Sequence, residues 1–189
     1  MSHGCSITAD EALVRLREGN AAFAAGAPYA GDTSPERRAD LAEHGQHPFA
    51  IVVACSDSRV VPEVIFNCGL GDLFVIRVAG NVIDNHQLGS IEYAAAHLGA
   101  PLVVVLGHTH CGAVGAAIAS EPEGFVATIT DDIKAAIGDE RDDERACTAN
   151  TLNSLDIVKR SLVGDAEGGL GLRVAGALYR IDSGEVVWL

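Results

Sequence analysis

Positive charge is scarce in this 189-residue chain: 13 Lys and Arg stand against 26 Asp and Glu, a formal net charge of -13. A chain of that sign has no excess of cations with which to displace counterions from phosphates, so neither nucleic acid nor an anionic membrane is an expected partner. Long apolar runs are missing too. None approaches the roughly 20 residues that cross a bilayer, and the opening MSHGCSITADEALVRLREG has no apolar centre of the length a signal peptide carries. No membrane anchor is expected. The five cysteines (Cys5, Cys55, Cys68, Cys111 and Cys147) are odd in number and widely spaced, which speaks against a disulfide framework. Reduced thiols and a cytoplasmic location are the expectation. Covalent staples are not needed here, because a chain of this length buries roughly 70% of its unfolded surface and 48% of its residues are apolar. A metal site in such a chain is expected to serve function rather than to hold the core together.

Thr8-Ala9-Asp10-Glu11 has the spacing of a capping box, and Leu13, Leu16 and Phe23 follow it, predicting a first helix that runs to about Gly26. Ser34 as N-cap, Pro35 in the first helical position and Gly45 as a stop predict a short second helix over residues 35–44. The texture then changes. Residues 49–54, 73–76 and 102–106 are unbroken β-rich runs, as expected of strands buried on both faces in a parallel sheet. Helix-compatible stretches at 62–66, 89–98 and 113–120 alternate with them. Residues 121–144 are acidic and poor in large apolar side chains, and 150–162 recover a helical pattern through Leu152, Leu155, Ile157, Val158 and Leu162. This reads as a helical excursion with a solvated face, and no chemistry is assigned to its charge. A last strand over 172–179 turns at Asp182-Ser183-Gly184 into 185–188, a hairpin at a sheet edge. The fold class is therefore α/β: a mostly parallel central sheet flanked by helices, with an antiparallel edge strand and N-terminal helices, in one domain over 1–189.

Ligands of open α/β sheets bind beyond the carboxyl ends of the strands. Two such ends are unusual: Cys55-Ser56-Asp57-Ser58-Arg59 after the first run, and Gly107-His108-Thr109-His110-Cys111-Gly112 after the third. If those strands are parallel neighbours, Cys55, His108 and Cys111 converge as a Cys2His set. Thiolate and imidazole suit zinc, and three protein ligands with one open position mark a catalytic site. The plainer alternative is that each is an ordinary buried Cys or hydrogen-bonded His. Asp57 and Arg59 alternate about Ser58, which in an extended segment points both to one side, within reach of a charge-assisted hydrogen bond. An Arg partner keeps Asp57 ionised and oriented, next to a candidate ligand. A plain surface ion pair is the alternative.

Cys-x-Asp-x-Arg followed by His-x-x-Cys, with Gly-Asp-Leu-Phe-Val-Ile-Arg-Val-Ala-Gly-Asn at 71–81 and Gly-Ser-Ile-Glu-Tyr-Ala at 89–94 between them, resembles the β-class carbonic anhydrases. The resemblance is close over 46–114 and returns at Val-Ala-Gly-Ala-Leu-Tyr, 174–179. It implies that Cys55, His108 and Cys111 hold one Zn2+ per chain, that Asp57 and Arg59 form the catalytic dyad, and that the Gly112 amide donates to bound bicarbonate. It further implies that Gln46, Phe74 and Tyr93 line the carbon dioxide cleft as in the plant-like branch, with the Gln and Tyr at the interface of an obligate homodimer, either alone or paired into a tetramer. Val52 stands where another branch has the Trp of a second bicarbonate site, so that site is not expected although Arg77 matches it. Cys68 stands where many relatives have Gln, and no role is assigned to it.

The implied reaction is the reversible hydration of carbon dioxide to bicarbonate and a proton by a zinc-bound hydroxide. With two thiolates the site is formally neutral, so activity is expected to rise above neutral pH. An alternative state places Asp57 itself on zinc when Arg59 turns away. Five histidines (His44, His47, His86, His97 and His110) are candidate proton carriers, and His110, between two ligands, is the most suggestive. Two rival functions stand beside this one: hydrolysis of carbonyl sulfide or carbon disulfide by the same site, and a non-enzyme, either a zinc-stabilised interaction protein or a thiol sensor, that uses Cys55 and Cys111 for structure or redox.

Overall fold

The computed structural model describes residues 7–119, 124–163 and 170–189. Cys5 and Ser120, the expected end of the 113–120 helix, lie outside them. The N-terminal caps act as their spacing predicts. Glu11 N–H donates to the Thr8 hydroxyl at 3.2 Å and Thr8 N–H to the Glu11 carboxylate at 2.7 Å, opening α1 (Ala9–Ala24). Ser34 caps α2 (Pro35–His44), and Gly45 ends it at φ 82°, a conformation that glycine adopts without steric cost.

Five strands follow: β1 (Ala50–Ala54), β2 (Leu73–Arg77), β3 (Leu102–His108), β4 (Arg173–Tyr179) and β5 (Val186–Trp188), in the spatial order β2-β1-β3-β4-β5. The first four are parallel, and β5 pairs antiparallel with β4 as the edge of the expected hairpin. β1 and β3 are buried along their whole lengths, and each of their Val and Ile side chains contributes roughly 1.5–3 kcal/mol by its burial. Val52, Ala54, Val104 and Leu106 face Leu13 and Leu16 of α1 and Ile65 of α3 (Pro62–Ile65). Ile51, Val53, Val103 and Val105 face Ile91 and Ala94 of α4 (Asn85–Leu98) and Leu155 and Val158 of α7 (Asp143–Val158). This is helix, sheet, helix. Among the described residues, no helix is long and apolar enough to cross a membrane.

Three expectations need correction. The run at 73–76 is not buried on both faces. As β2 it is an edge strand, and Phe74, Val75 and Ile76 stay partly exposed. The helix expected from residue 89 starts at Asn85, because Asp84 and Gln87 form a second capping box. The helix expected from residue 150 begins two turns earlier at Asp143, capped by Asp142. Its first half was hidden by charge that faces solvent, while Ala146 and Cys147 turn inward. Thr151 packs α7 onto β3 so closely that a Cβ on Gly107 would meet its Oγ1 at 1.8 Å.

The chain passes from β1 to β2 on one side and later to β3 on the other, so the segments leaving β1 and β3 open a crevice between them. Above it lies a third cluster that joins Cys55 and Cys111 to Val114 of α5 (Gly112–Ala119), Ile133 and Ile137 of α6 (Val126–Ile137), and Cys147 of α7.

Candidate functional site

β1 and β3 are parallel neighbours with Ala54 opposite Leu106, so the residues that follow them leave the sheet side by side. Cys55, His108 and Cys111 meet there, with one ligand atom from each lying within 4.8 Å of the others. All three are buried, at 5%, 1% and 3% exposure. His108 Nδ1 lies 2.9 Å from the Thr109 carbonyl. A carbonyl only accepts, so Nδ1 carries the proton and Nε2 presents a lone pair. That Nε2 is buried without a hydrogen-bond partner among the described residues.

Backbone amides converge on the sulfurs. Gly80 N–H and Asp57 N–H donate to Cys55 Sγ at 3.2 and 3.4 Å. The amides of Ala113 and Val114, in the first turn of α5, lie against the Cys111 sulfur, where the helix N-terminus favours negative charge. The two thiols share the site unequally. Donation from Cys111 pulls the Cys55 thiol well below the usual range against the opposing effect of burial, with the Asp57 and Gly80 amides adding to it. Bonding to the Cys55 thiolate, then burial, push Cys111 far up. The metal-free pair therefore shares a proton between its two sulfurs. Metal uptake is expected to release about one proton from the sulfur pair rather than two. Titration calorimetry in buffers of different ionisation enthalpy counts it, and release of two would contradict the shared proton.

Asp57 and Arg59 come together, but not through an extended segment. Val60 N–H donates to the Asp57 carbonyl at 2.9 Å and Arg59 N–H to Asp57 Oδ1 at 2.9 Å, closing a tight turn that folds Arg59 back over the carboxylate. The pair is bidentate, Nε to Oδ1 at 2.9 Å and Nη2 to Oδ2 at 2.7 Å. The Arg59 hydrogen bonds hold the Asp57 carboxyl well below the usual carboxylate range. Arg59 also donates to the His110 carbonyl at 3.1 Å, tying the two strand-end segments together. With both oxygens on Arg59, Asp57 is not one of the three clustered donors.

Residues outside the ligand set and the Asp57–Arg59 pair support this arrangement. Arg77, at the end of β2, donates to the carbonyls of Cys55 at 3.0 Å and Asp57 at 2.6 Å. Its guanidinium is spent on the backbone of this turn. His110 takes a left-handed φ of 56°, and Asp143 of α7 accepts its N–H at 2.8 Å. Asn150 of α7 donates to the Gly80 carbonyl at 2.7 Å. A polar stripe inside a helix that otherwise packs on the core was the available signal, at 143, 150 and 154.

Gly112 opens α5 directly beside Cys111. Phe74 and Tyr93 form a ring pair with centroids 6.2 Å apart, and Tyr93, 49% exposed, meets the His97 ring in a tilted contact at 5.2 Å. Gln46 is exposed ahead of β1, while the Cys-His-Cys cluster lies beyond its other end. The structure thus does not gather Gln46 at the cluster within one chain. His44 pairs with Asp40 on α2, His86 lies near Asp84, and His47 is exposed. Among the five candidate proton carriers, His110 is the one whose backbone joins the site.

A family profile described as carbonic anhydrase matches residues 50–186. The chain is 40% identical over 184 residues to carbonic anhydrase 2 of Mycobacterium tuberculosis, covering 91% of this chain and 88% of that relative. It is similar in structure to a β-carbonic anhydrase of the fungal pathogen Aspergillus fumigatus, with TM-score 0.71 and 30% identity over 95% of this chain and 89% of the other. One of two tetrameric β-carbonic anhydrases from Sordaria macrospora is similar at TM-score 0.71 and 28% identity, covering 82% of this chain and 87% of the other.

Proposed function

The chain belongs to the β-carbonic anhydrase family and is a carbonic anhydrase, and on that footing we propose that it interconverts carbon dioxide and bicarbonate with Cys55, His108 and Cys111 holding one zinc ion per chain. The observation that carries the ligand set is the buried His108 Nε2, which has no hydrogen-bond partner among the described residues and belongs to a cluster whose other two donors are sulfurs. An unpartnered buried nitrogen costs about 1–3 kcal/mol, and a metal between the three donors removes that cost. The donor set fits zinc and leaves a fourth position free. Bound there, zinc supplies a Lewis acid that allows water to lose a proton near neutral pH.

The remaining work belongs to the chain. Asp57 stays ionised across the physiological range. Oδ1 accepts both the backbone N–H and Nε of Arg59, but Oδ2 keeps a second lone pair beyond the one that Nη2 occupies, so Asp57 can still accept a hydrogen bond from the attacking oxygen and hold it towards carbon. Arg59 fixes the carboxylate plane, and Arg77 fixes the backbone on which it stands. The Gly112 amide, at the N-terminus of α5, would donate to an oxygen of bicarbonate. Gln46 and Tyr93 fit a cleft completed across a homodimer, which would also cover the exposed ring of Tyr93. Pairing of dimers into a tetramer accords with the Sordaria relatives. The free thiols of Cys55, Cys68, Cys111 and Cys147 accord with a cytoplasmic setting.

Stopped-flow carbon dioxide hydration on zinc-quantified protein tests this reading. A fast rate that rises from acidic to alkaline pH is the expected result. No hydration above buffer at any pH, with one zinc per chain, would sink it. Sulfide release from carbonyl sulfide in place of hydration would reassign the substrate.

A further inference from the structure

Asp143, Cys147, Asn150 and Ser154 recur along α7 at intervals of four, three and four residues, which places them on one helix face. That face touches the segment that follows β3 and the turn that follows β2. Asp143 accepts from His110 N–H, Asn150 Nδ2 donates to the Gly80 carbonyl at 2.7 Å, and Ser154 Oγ donates to the Asn81 carbonyl at 2.9 Å. Asn150 and Ser154 are each 1% exposed, so water does not compete for these bonds.

The turn they grip is unusual. Gly80 and Asn81 both have left-handed backbones, at φ 68° and 46°, and such a residue other than glycine persists where its surroundings over-determine it. Gly80 is also confined, since a Cβ there would lie 2.7 Å from Ile133 Cδ1 and 3.1 Å from Ala113 Cβ. Held in this way, Gly80 directs its own N–H at Cys55 Sγ. An amide bonded to a thiolate draws electron density from the sulfur, and the strength of that pull depends on direction, which the Gly80 backbone sets.

We propose that Asn150 is a positioning residue for Cys55: by holding the Gly80 carbonyl, it keeps the Gly80 amide on the Cys55 sulfur and so sets how strongly that thiolate donates to the metal. The inference rests on the metal-site reading above and deepens it. Among the described residues Asn150 makes no hydrogen bond to the ligand cluster or to the Asp57–Arg59 pair, and it acts through the turn.

Two spectroscopic readouts test the proposal. In wild-type protein loaded with NMR-active cadmium, the Gly80 amide proton is expected to show scalar coupling to the metal through the Cys55 sulfur. In cobalt-loaded Asn150→Ala and Asn150→Asp, the sulfur-to-cobalt charge-transfer band is expected to move to lower energy, because the Cys55 sulfur loses part of the pull of the Gly80 amide. Asn20→Ala is the control. Asn20 is buried and donates its Nδ2 to the carbonyls of Ile65 and Gly184, so this variant loses the same kind of bond away from the cluster, and its band is expected to stay in place. An unmoved band in both Asn150 variants, or an equal shift in Asn20→Ala, overturns the proposal. So does the absence of coupling in the cadmium-loaded wild type, a measurement that decides even if neither Asn150 variant folds. Wild-type protein that takes up neither cadmium nor cobalt would instead overturn the metal-site reading.

Discussion

Cys111→Ala is expected to leave a folded chain that retains no stoichiometric metal and hydrates carbon dioxide no faster than buffer. The substitution removes the one sulfur supplied by the α5 end of the site, whose first-turn amides stabilise its negative charge. What remains is Cys55 and His108, two donors where a catalytic zinc takes three from the protein. The fold has no comparable dependence. Cys111 is one small member of a cluster that also holds Val114, Ile133, Ile137 and Leu178, and trimming a sulfur from such a packing costs about 1–2 kcal/mol. Circular dichroism, metal analysis and stopped-flow hydration separate the two effects. A variant that kept one metal per chain and a wild-type rate would show that the metal is held elsewhere. Wild-type protein stripped by a chelator is expected to lose activity and regain it with zinc, along with the stability that binding to the native state supplies.

Asp57→Ala should do the reverse: keep the metal and lose the rate, with kcat/KM for hydration falling roughly 100-fold. Asp57 is absent from the Cys-His-Cys cluster, so metal content gives no reason to change. What disappears is the acceptor that Arg59 holds through two bonds and that Arg77 supports from the backbone side. Arg59→Ala is expected to act in the same direction but less strongly, because the Asp57 carboxylate keeps the bond from the residue 59 amide. The Asp57 carboxyl is depressed in the folded chain, chiefly by the Arg59 bonds. Its stabilising contribution is therefore complete above the unfolded Asp value of about 3.9 and is lost as pH falls through the lower folded value. A rate that rises across neutrality thus reports another group. An unchanged hydration rate in metal-replete Asp57→Ala would remove Asp57 from the mechanism.

Much of this architecture is written in local sequence. Thr8 and Glu11, and Ser34 and Pro35, announce helix starts through bonds that span three residues. The apolar runs of β1 and β3 announce strands covered on both faces. The run of β2 is equally apolar yet lies at the edge, since strand order is a property of the whole sheet and leaves no mark on a single strand. The turn at Asp57–Arg59 was legible in its residues and not in its shape. Spacing alone cannot distinguish an extended segment from an Asx turn when both bring the two side chains together.

The amino-acid sequence by itself determined the α/β class, the helix caps, the Asp57–Arg59 partnership and the chemical identity of the Cys-His-Cys donors, because each follows from residue type and short-range spacing. Tertiary structure alone decided that β1 and β3 adjoin, so that Cys55 meets His108 and Cys111. It alone decided that Arg77 and the inner face of α7 brace the turns around them. The acceptors there are the carbonyls of Cys55, Asp57, Gly80 and Asn81. Every residue carries such a carbonyl, so nothing in the side-chain sequence can say which one a distant Arg or Asn will find.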